Sequence, residues 1–471
     1  MKPFKPYTPN QLYLLPPCPK DWLPPKHLAH FIDEVVEELD LSAILGAYTE
    51  ERGQPPYHPA MMVKVWLYAF ARGIRSSRRL ERALYEDVAF RMLSGNQQPD
   101  HWTLSEFRRR HLQALGELFV QTVQLAQKAG LVKLGRVAVD GTKVKANASK
   151  HAAMSYDRME EEEQRLREEI DRYFAEVEAT DQAEGEDGSE DELPEALRTA
   201  MRRREAIRQA KAALEEEARQ KAAAKEAQRR AEAERKGRPY RPRQDPQQAK
   251  PSPKAQRNFT DPDSRIMRES GGSFVQAYNA QAAVDTASQV IVAAELTNQA
   301  ADVVHLRTMV DQVEANTGQR PEGVLADAGY FDSDVIEELQ ARGMEALIPP
   351  DKLPHRLRRQ RSAPPAPPPP EDAPLRERMR HRLQQPEVLE RYREREQSVE
   401  PVFGQIKEGR GLRQFLLRGL PKVRALWRLE CAVHNLLKLY RAGVRFRSGP
   451  PASSGVESKT MERSMGVPQA A

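Results

Sequence analysis

The chain has 471 residues and a net charge of +5, with 30% charged and only 6% aromatic residues. This length predicts about three domains, and the mild positive charge permits an anionic partner. Two cysteines, Cys18 and Cys431, are too few for a disulfide framework or a zinc cluster. We find no signal-peptide pattern and no apolar run long enough to span a bilayer, which predicts a cytoplasmic protein rather than a membrane protein.

The N-terminal part of the chain predicts a helical domain. Residues 1–27 are Pro-rich and are expected to be extended, with little fold of their own. Residues 28–130 contain several segments of helical pattern, among them the apolar stretch AMMVKVWLYAFARGI at residues 60–74. Short helices joined by turns are typical of helix-turn-helix DNA-binding domains.

An arginine cluster in this domain is the candidate DNA-binding surface. Thr103 and Glu106 have the spacing of a capping box, which predicts a helix that starts just after Thr103. The cluster then lies in its first two turns and consists of Arg108, Arg109 and Arg110. Such side chains contact DNA phosphates; the alternative is the solvated face of an ordinary helical bundle.

Two stretches interrupt the folded pattern and are predicted to be insertions. Residues 151–257 are rich in helix formers, with a net charge of −13 over residues 151–200 and +8 over residues 201–250. We interpret this stretch as a charged helical hairpin, with a partly disordered insert as the alternative. Residues 351–385 predict a Pro-rich basic loop, and residues 446–471 predict a disordered tail.

The remaining segments predict an α/β core that consists of residues 131–150, 258–350 and 386–445. Their order is strand, strand, strand, helix, strand, helix, strand, followed by further helices. An antiparallel three-stranded meander followed by parallel strands with crossover helices gives a mixed sheet covered on both faces. This order resembles the ribonuclease H-like fold.

The first predicted strand, RVAVD, ends at Asp140, which has two interpretations. Asp-Gly between two alternating segments is a strong signal for a β-hairpin turn, because both turn positions must tolerate positive φ. Alternatively, Asp140 is a functional acid at a strand end. That interpretation requires other acids at the same place in the fold.

A second acid, Asp327, ends the fourth predicted strand, GVLAD. In the predicted sheet the first and fourth strands are parallel neighbours, so the carboxylates of Asp140 and Asp327 emerge at the same edge. Two close carboxylates repel each other unless a cation neutralises them, and oxygen ligands without His or Cys favour Mg²⁺ or Mn²⁺. The alternative for Asp327 is a simple cap at a strand-to-helix turn.

A third acid, Glu400, follows later in the chain. Ser398 is a good N-cap and Pro401 is best tolerated in a first turn, which predicts a helix start here. Glu400 then lies within reach of the sheet edge, with Lys407 two turns further along the same face. The alternative for Glu400 is an ordinary first-turn acid.

Together these blocks resemble the DDE transposases of bacterial insertion sequences, in the branch with a helical N-terminal domain. The first block is VAVDGTKVKANAS, the second is LADAGYFD, and the third includes VEPVFGQIKEGRG. The family's Tyr-Arg-Glu-Lys signature corresponds to Tyr392, Arg395, Glu400 and Lys407. The N-terminal PDHWTLSEFRRRH and the strand AYNAQAAVD also resemble the family. The resemblance covers most of residues 28–440 apart from the two insertions.

The resemblance implies a catalytic triad of Asp140, Asp327 and Glu400 that holds Mg²⁺, with Mn²⁺ as a substitute. Such a site cleaves double-stranded DNA at the ends of the element and joins the freed 3′ ends to target DNA. Arg395 and Lys407 would contact phosphate near the scissile bond, while Tyr392 would position the DNA by stacking.

The implied protein is a homodimer or larger assembly on DNA, because two element ends must be paired, and it is associated with the bacterial nucleoid. Two alternatives stay open: a ribonuclease H-like nuclease that cuts without joining, and a transposase-derived DNA-binding protein without catalysis. Asp285, on the predicted hairpin turn, and Asp302, at a predicted helix start, are expected to tolerate substitution with little effect.

Overall fold

The computed structural model describes residues 18–49, 55–184, 195–242, 245–269, 271–352, 368–370 and 372–446. Most of the predicted Pro-rich N-terminal segment, the centre of the predicted loop 351–385 and the predicted tail beyond Phe446 lie outside these residues. Within the described part of the chain, no helix is long and apolar enough to cross a membrane.

The N-terminal region is helical, as predicted. Its helices are Leu28–Glu37 (α1), Ser42–Leu45 (α2), Pro59–Ala71 (α3), Ser77–Glu86 (α4), Val88–Leu93 (α5) and His101–Lys128 (α6). Nine of the thirteen residues of α3 are buried. The residues of α3 are apolar on all sides of the helix, and nearly all of these sides are buried, as expected for a central helix.

The predicted start of α6 is wrong by three residues. The helix begins at His101, and the side chain of Asp100 accepts a hydrogen bond from Thr103 N at 2.7 Å. Asp is at least as good an N-cap as Thr, so the upstream acid caps the helix. Glu106 does not complete a capping box, because its carboxylate pairs with Arg109.

A six-stranded mixed sheet lies at the centre of the fold. The strands of the described chain are Arg136–Lys145 (β1), Ala153–Ser155 (β2), Gln256–Asn258 (β3), Arg265–Arg268 (β4), Phe274–Asp285 (β5), Ile291–Thr297 (β6), Gly323–Ala326 (β7) and Glu345–Leu347 (β8). The order across the sheet is β4-β5-β1-β7-β8, and β6 pairs with the same edge of β5 as β4. β5 is antiparallel to β1, whereas β7 is parallel to both β1 and β8. The predicted ribonuclease H-like class is confirmed.

Strand β1 does not end at Asp140. Asp140 pairs with Ala282 and Gly141 with Gln281, so the chain runs straight through the Asp-Gly dipeptide to Lys145. The hairpin-turn interpretation is therefore wrong, and so is the predicted strand end. The parallel partner β7 ends at Ala326, and Asp140 consequently lies where β1 loses its neighbour on that side.

The insertion contains two long helices, Tyr156–Glu184 (α7) and Glu195–Arg235 (α8), that pack along each other. Their contact has its own buried apolar cluster, separate from the main core, which includes Met159, Leu166 and Ile207. Ion pairs such as Lys211–Glu163 at 2.7 Å connect the two helices. The short antiparallel pair β2–β3 lies at the base of this hairpin.

Five helices complete the described chain. They are Leu306–Thr317 (α9), Ser333–Ala341 (α10), Leu375–Arg382 (α11), Pro386–Gly404 (α12) and Leu420–Arg441 (α13). Helix α13 packs against both α6 and β6. Its fully buried Glu430 accepts a hydrogen bond from Arg75 Nε. The N-terminal helices and the sheet therefore share one continuous core.

Helix α12 begins twelve residues before the predicted start at Ser398 and contains Pro401 in its interior. A proline lacks the N–H that would bond to the carbonyl four residues earlier, here that of Gln397. Gln289 Nε2 donates to Gln397 O instead, at 3.0 Å. This contact from the turn between β5 and β6 satisfies the free carbonyl, so the helix continues through the proline.

Candidate active site

Two acids meet at the edge of the sheet. Val139 of β1 pairs with Ala326 of β7, so the next residues lie at the same level, Asp140 within β1 and Asp327 directly after β7. Asp327 Oδ1 also accepts a hydrogen bond from Gly329 N at 2.8 Å. The predicted cap at Asp327 is thus present, and it leaves Asp327 beside Asp140.

Arg395 connects Asp140 to the third predicted acid. Its Nη1 donates to Asp140 Oδ2 at 2.9 Å, and its Nη2 lies 3.9 Å from Glu400 Oε1. The Arg395 side chain is only 7% exposed, whereas that of Glu400 is 58% exposed. Helix α12 thereby places the buried guanidinium of Arg395 between Asp140 of the sheet and Glu400 on the exposed side of the helix.

The environment of Asp140 makes its carboxyl easier to protonate than that of an ordinary aspartate. Burial is the main cause that raises the pKa of Asp140, to about 6; Arg395 opposes the rise and the charge of Asp327 adds to it. A carboxyl in a poorly solvated site near other carboxyls is expected to behave in this way. A cation at this edge of the sheet would compete with a proton for Asp140.

The donor types at this edge suit a hard divalent cation. Asp140, Asp327 and Glu400 offer only oxygen, and Arg395 supplies one positive charge against their three negative charges. Over the residues that the structure describes, however, no three Asp, Glu, His or Cys side chains are close enough together to hold a metal ion. The acids therefore fit a divalent cation in chemistry, but the predicted three-residue metal site is not assembled in this arrangement.

Lys407 lies on the same face of β1 as Asp140, beside Thr142 two residues further along the strand. It occurs in a single π-helical turn, Gln405–Gly409, directly after α12. Its Nζ donates to Thr142 Oγ1 at 3.1 Å and to Lys143 O at 3.3 Å. Such π-turns are frequent at functional sites, and this one brings a cation to the strand that carries Asp140.

Tyr392 does not present its ring to solvent. The residue is 4% exposed and belongs to the main core. Because α12 starts at Pro386, Tyr392 lies in its second turn on the buried side, and not in a segment that precedes the helix. The expected stacking of Tyr392 on DNA is therefore wrong for this structure.

The three arginines of α6 have different environments. Arg108 Nη1 donates to Arg75 O at 2.6 Å, its guanidinium lies 4.6 Å from the Trp66 ring centroid, and burial lowers its pKa. Arg110 donates to the backbone carbonyl of Ala47. Arg109 is 72% exposed and pairs only with Glu106 of its own helix among the contacts described. Arg108 packs within the helical domain, which contradicts its predicted contact with DNA, whereas the DNA contacts of Arg109 and Arg110 stay a prediction.

Asp302, which was expected to tolerate substitution at a helix start, has several side-chain contacts instead. It follows β6, and its Oδ1 accepts hydrogen bonds from Asn279 Nδ2 at 2.7 Å and Gln281 Nε2 at 2.8 Å. Lys143 Nζ lies 3.2 Å from the same oxygen. A sequence signal does exist: Asn279 and Gln281 are alternate polar residues in the otherwise apolar strand AYNAQAAVD.

Asp285 is also not a neutral position. It is 1% exposed at the end of β5. Its Oδ1 accepts a hydrogen bond from Leu134 N at 3.1 Å, and its Oδ2 accepts from Ser288 N and Ser288 Oγ. Removal of an acceptor from buried donors costs free energy of folding, so the expected tolerance of Asp285 to substitution is contradicted.

Comparison with known families gives two matches. Residues 17–110 match the family model Transposase domain (DUF772), and residues 241–436 match the model Transposase DDE domain. The second match contains Asp327, Arg395 and Glu400, and the first contains the arginine cluster of α6. No curated protein and no solved structure matches the chain.

Proposed function

Because the chain belongs to the DDE transposases of insertion-sequence type, we propose that it binds the terminal inverted repeats of its own element, cleaves DNA there and joins the freed 3′ ends to target DNA. The observation that carries this proposal is the meeting of Asp140 and Asp327 at one sheet edge, with Arg395 connecting Asp140 to Glu400. Acids and a buried cation in one place suit phosphoryl transfer better than a purely structural role.

In the proposed reaction, Asp140, Asp327 and Glu400 would hold a divalent cation, Mg²⁺ or Mn²⁺. When bound, such a cation stabilises the charge on the attacking and leaving oxygens of a phosphodiester. Without a cation, the Arg395 guanidinium limits the rise that burial causes in the pKa of Asp140. Arg395 and Lys407 supply positive charge beside the acids, which favours the approach of DNA phosphate.

The exposed arginines of α6 are proposed to contact the DNA backbone. Arg109 and Arg110 line an open cavity of about 420 Å³ between α6 and the start of α13, together with Lys422. Arg108 also lines the cavity, so four cations surround it. Such cations attract phosphate oxygens, and the exposed ones release counterions when DNA binds. Because two element ends must be brought together, the active form is proposed to be a homodimer or larger.

The test is an assay that separates cutting from joining. Purified protein is incubated with a labelled DNA fragment that carries the element's end, a supercoiled target plasmid and Mg²⁺. We expect nicked ends and, in addition, labelled target DNA. Nicks without labelled target would indicate a nuclease that does not join ends. A gel shift without nicks in either Mg²⁺ or Mn²⁺ would indicate a DNA-binding protein without catalytic activity.

A further inference from the structure

Beyond Val139 and Ala326, no ladder hydrogen bonds connect the strand of Asp140 to the segment of Asp327. The two acids therefore depend on other contacts to stay at one level. Successive side chains of a strand alternate between its faces. Asp140 faces Arg395 of α12, so Gly141 and Lys143 face the opposite side of the sheet.

On that opposite side, Asp302 is the centre of a polar network. Lys143 comes from β1, while Asn279 and Gln281 come from β5, directly across from Lys143 and Gly141. All three side chains donate to Asp302 Oδ1. The space between them is filled, because a Cβ on Gly141 would lie 2.3 Å from Gln281 Nε2 and 3.0 Å from Asp302 Oδ1.

The same network reaches the segment that carries Asp327. Gln281 gives its amide hydrogen to Asp302, and its Oε1 accepts a hydrogen bond from the hydroxyl of Tyr330. Tyr330 is fully buried and closes the short turn that Asp327 caps. A chain of contacts thus runs from Lys143, three residues after Asp140, through Asp302 and Gln281 to Tyr330, three residues after Asp327.

We propose that Asp302 is a positioning residue of the catalytic site: through Lys143, Gln281 and Tyr330 it holds the Asp140 strand and the Asp327 turn side by side, so that the two acids can share a divalent cation. This inference rests on the proposed function, because it assumes that the two acids bind a common ion. Asp302 acts mainly through its neighbours, since its Oδ1 accepts hydrogen bonds from the side chains of Lys143, Asn279 and Gln281. Residues that orient metal ligands in this way affect metal affinity without touching the metal.

The test measures Mn²⁺ binding to the full-length chain by isothermal titration calorimetry, with Asp140→Asn identifying which binding event belongs to the site. Asp302→Ala and Tyr330→Phe are each expected to weaken that binding by about 10- to 100-fold, as for other groups that orient metal ligands. Asp302→Asn keeps an acceptor oxygen for Gln281 and should recover most of the affinity. Asp311→Ala, which removes an exposed partner of Arg342, should change nothing.

A double variant decides whether the residues act as one unit. If Asp302 and Tyr330 act through the same chain of contacts, Asp302→Ala with Tyr330→Phe should bind Mn²⁺ no more weakly than the weaker single variant. If the double variant loses Mn²⁺ affinity by the product of the two single losses, the proposal is overturned. Unchanged Mn²⁺ affinity in Tyr330→Phe, which removes only a hydroxyl, would also overturn it. If the wild-type protein binds no Mn²⁺, the proposed function is contradicted as well. If the wild-type protein binds Mn²⁺ and none of these variants changes the affinity, only the positioning role of Asp302 is contradicted.

Discussion

Arg395 Nη1 lies 2.9 Å from Asp140 Oδ2, and this ion pair joins helix α12 to the central strand of the sheet. The guanidinium is almost fully buried, so it is shielded from solvent and from salt. It partly offsets the cost of placing a charged carboxylate at this position. The balance between burial and Arg395 therefore sets the pH at which Asp140 carries its charge.

The first prediction concerns this pH. Since the pKa of Asp140 is raised to about 6, its carboxyl is protonated below that pH and ionised above it. If the carboxylate is needed, DNA nicking at a Mg²⁺ concentration too low to saturate the site should fall as the pH decreases through about 6, rather than near the ordinary value of an aspartate. The measurement is the nicking rate between pH 5 and pH 8. Circular dichroism over the same range should show an unchanged fold, and a constant rate down to pH 5 would contradict the prediction.

The second prediction concerns the three acids. Asp140→Asn, Asp327→Asn and Glu400→Gln each remove one negative charge with little change of shape, and each should reduce nicking by at least about 100-fold. DNA affinity should persist, because a carboxylate repels phosphate. Nicking and gel shift are measured on the same DNA fragment.

The control for these variants is Asp311→Asn on α9, since Asp285 and Asp302 both have structural contacts that exclude them. Wild-type nicking by any of the three acid variants would exclude that residue from the site. For Asp327, such a result would reduce its role to that of a cap for Gly329 N.

The third prediction separates the arginines of α6. Arg109→Ala should weaken binding to DNA and reduce the salt slope by about 0.9, the change expected when one DNA phosphate is no longer neutralised by the protein. Arg108→Ala should instead destabilise the helical domain by about 2 kcal/mol, because it removes a desolvated contact with the Trp66 ring. The measurements are the salt dependence of DNA affinity and thermal unfolding.

An exposed arginine outside α6, Arg320, provides the control for Arg109. Arg320→Ala should leave the salt slope unchanged. An Arg109→Ala variant with the wild-type slope would move the DNA-binding surface away from the exposed side of α6.

The fourth prediction concerns the helical hairpin of α7 and α8. Its apolar cluster is separate from the main core, and Tyr156 N donates to Ala255 O at its base at 2.8 Å. A short Gly-Ser linker in place of residues 157–254 should therefore preserve β2, β3 and the folded sheet. A cooperative thermal transition close to that of the full chain is expected, and its loss would show that the hairpin stabilises the main core.

The order of strands and helices is predictable from the sequence because it depends on local periodicity. The apolar run of β7 and the helical period of α9 each report which residues are buried. The alternation in β5 marks a strand but not a buried face, because β5 is buried on both faces from Gln276 onward. That order was sufficient for the fold class and for the adjacency of β1 and β7. Asp140 and Asp327 are consequently found from the sequence, since both follow buried residues of neighbouring parallel strands.

The tertiary structure was needed wherever a hydrogen-bond partner that is distant in the sequence decides which conformation or role a local sequence pattern adopts. Asp-Gly reads as a turn, but β5 pairs with both residues and keeps Asp140 and Gly141 in a strand. Pro401 reads as a helix start, but Gln289 satisfies the carbonyl that the proline leaves free. The sequence around Asp302 predicts a helix start, but side chains from two strands donate hydrogen bonds to it. In each case hydrogen bonds to residues of another strand or turn accompany the departure from the local preference. In the partly buried cases, at Asp140–Gly141 and at Asp302, a polar group without such a partner would cost free energy of folding.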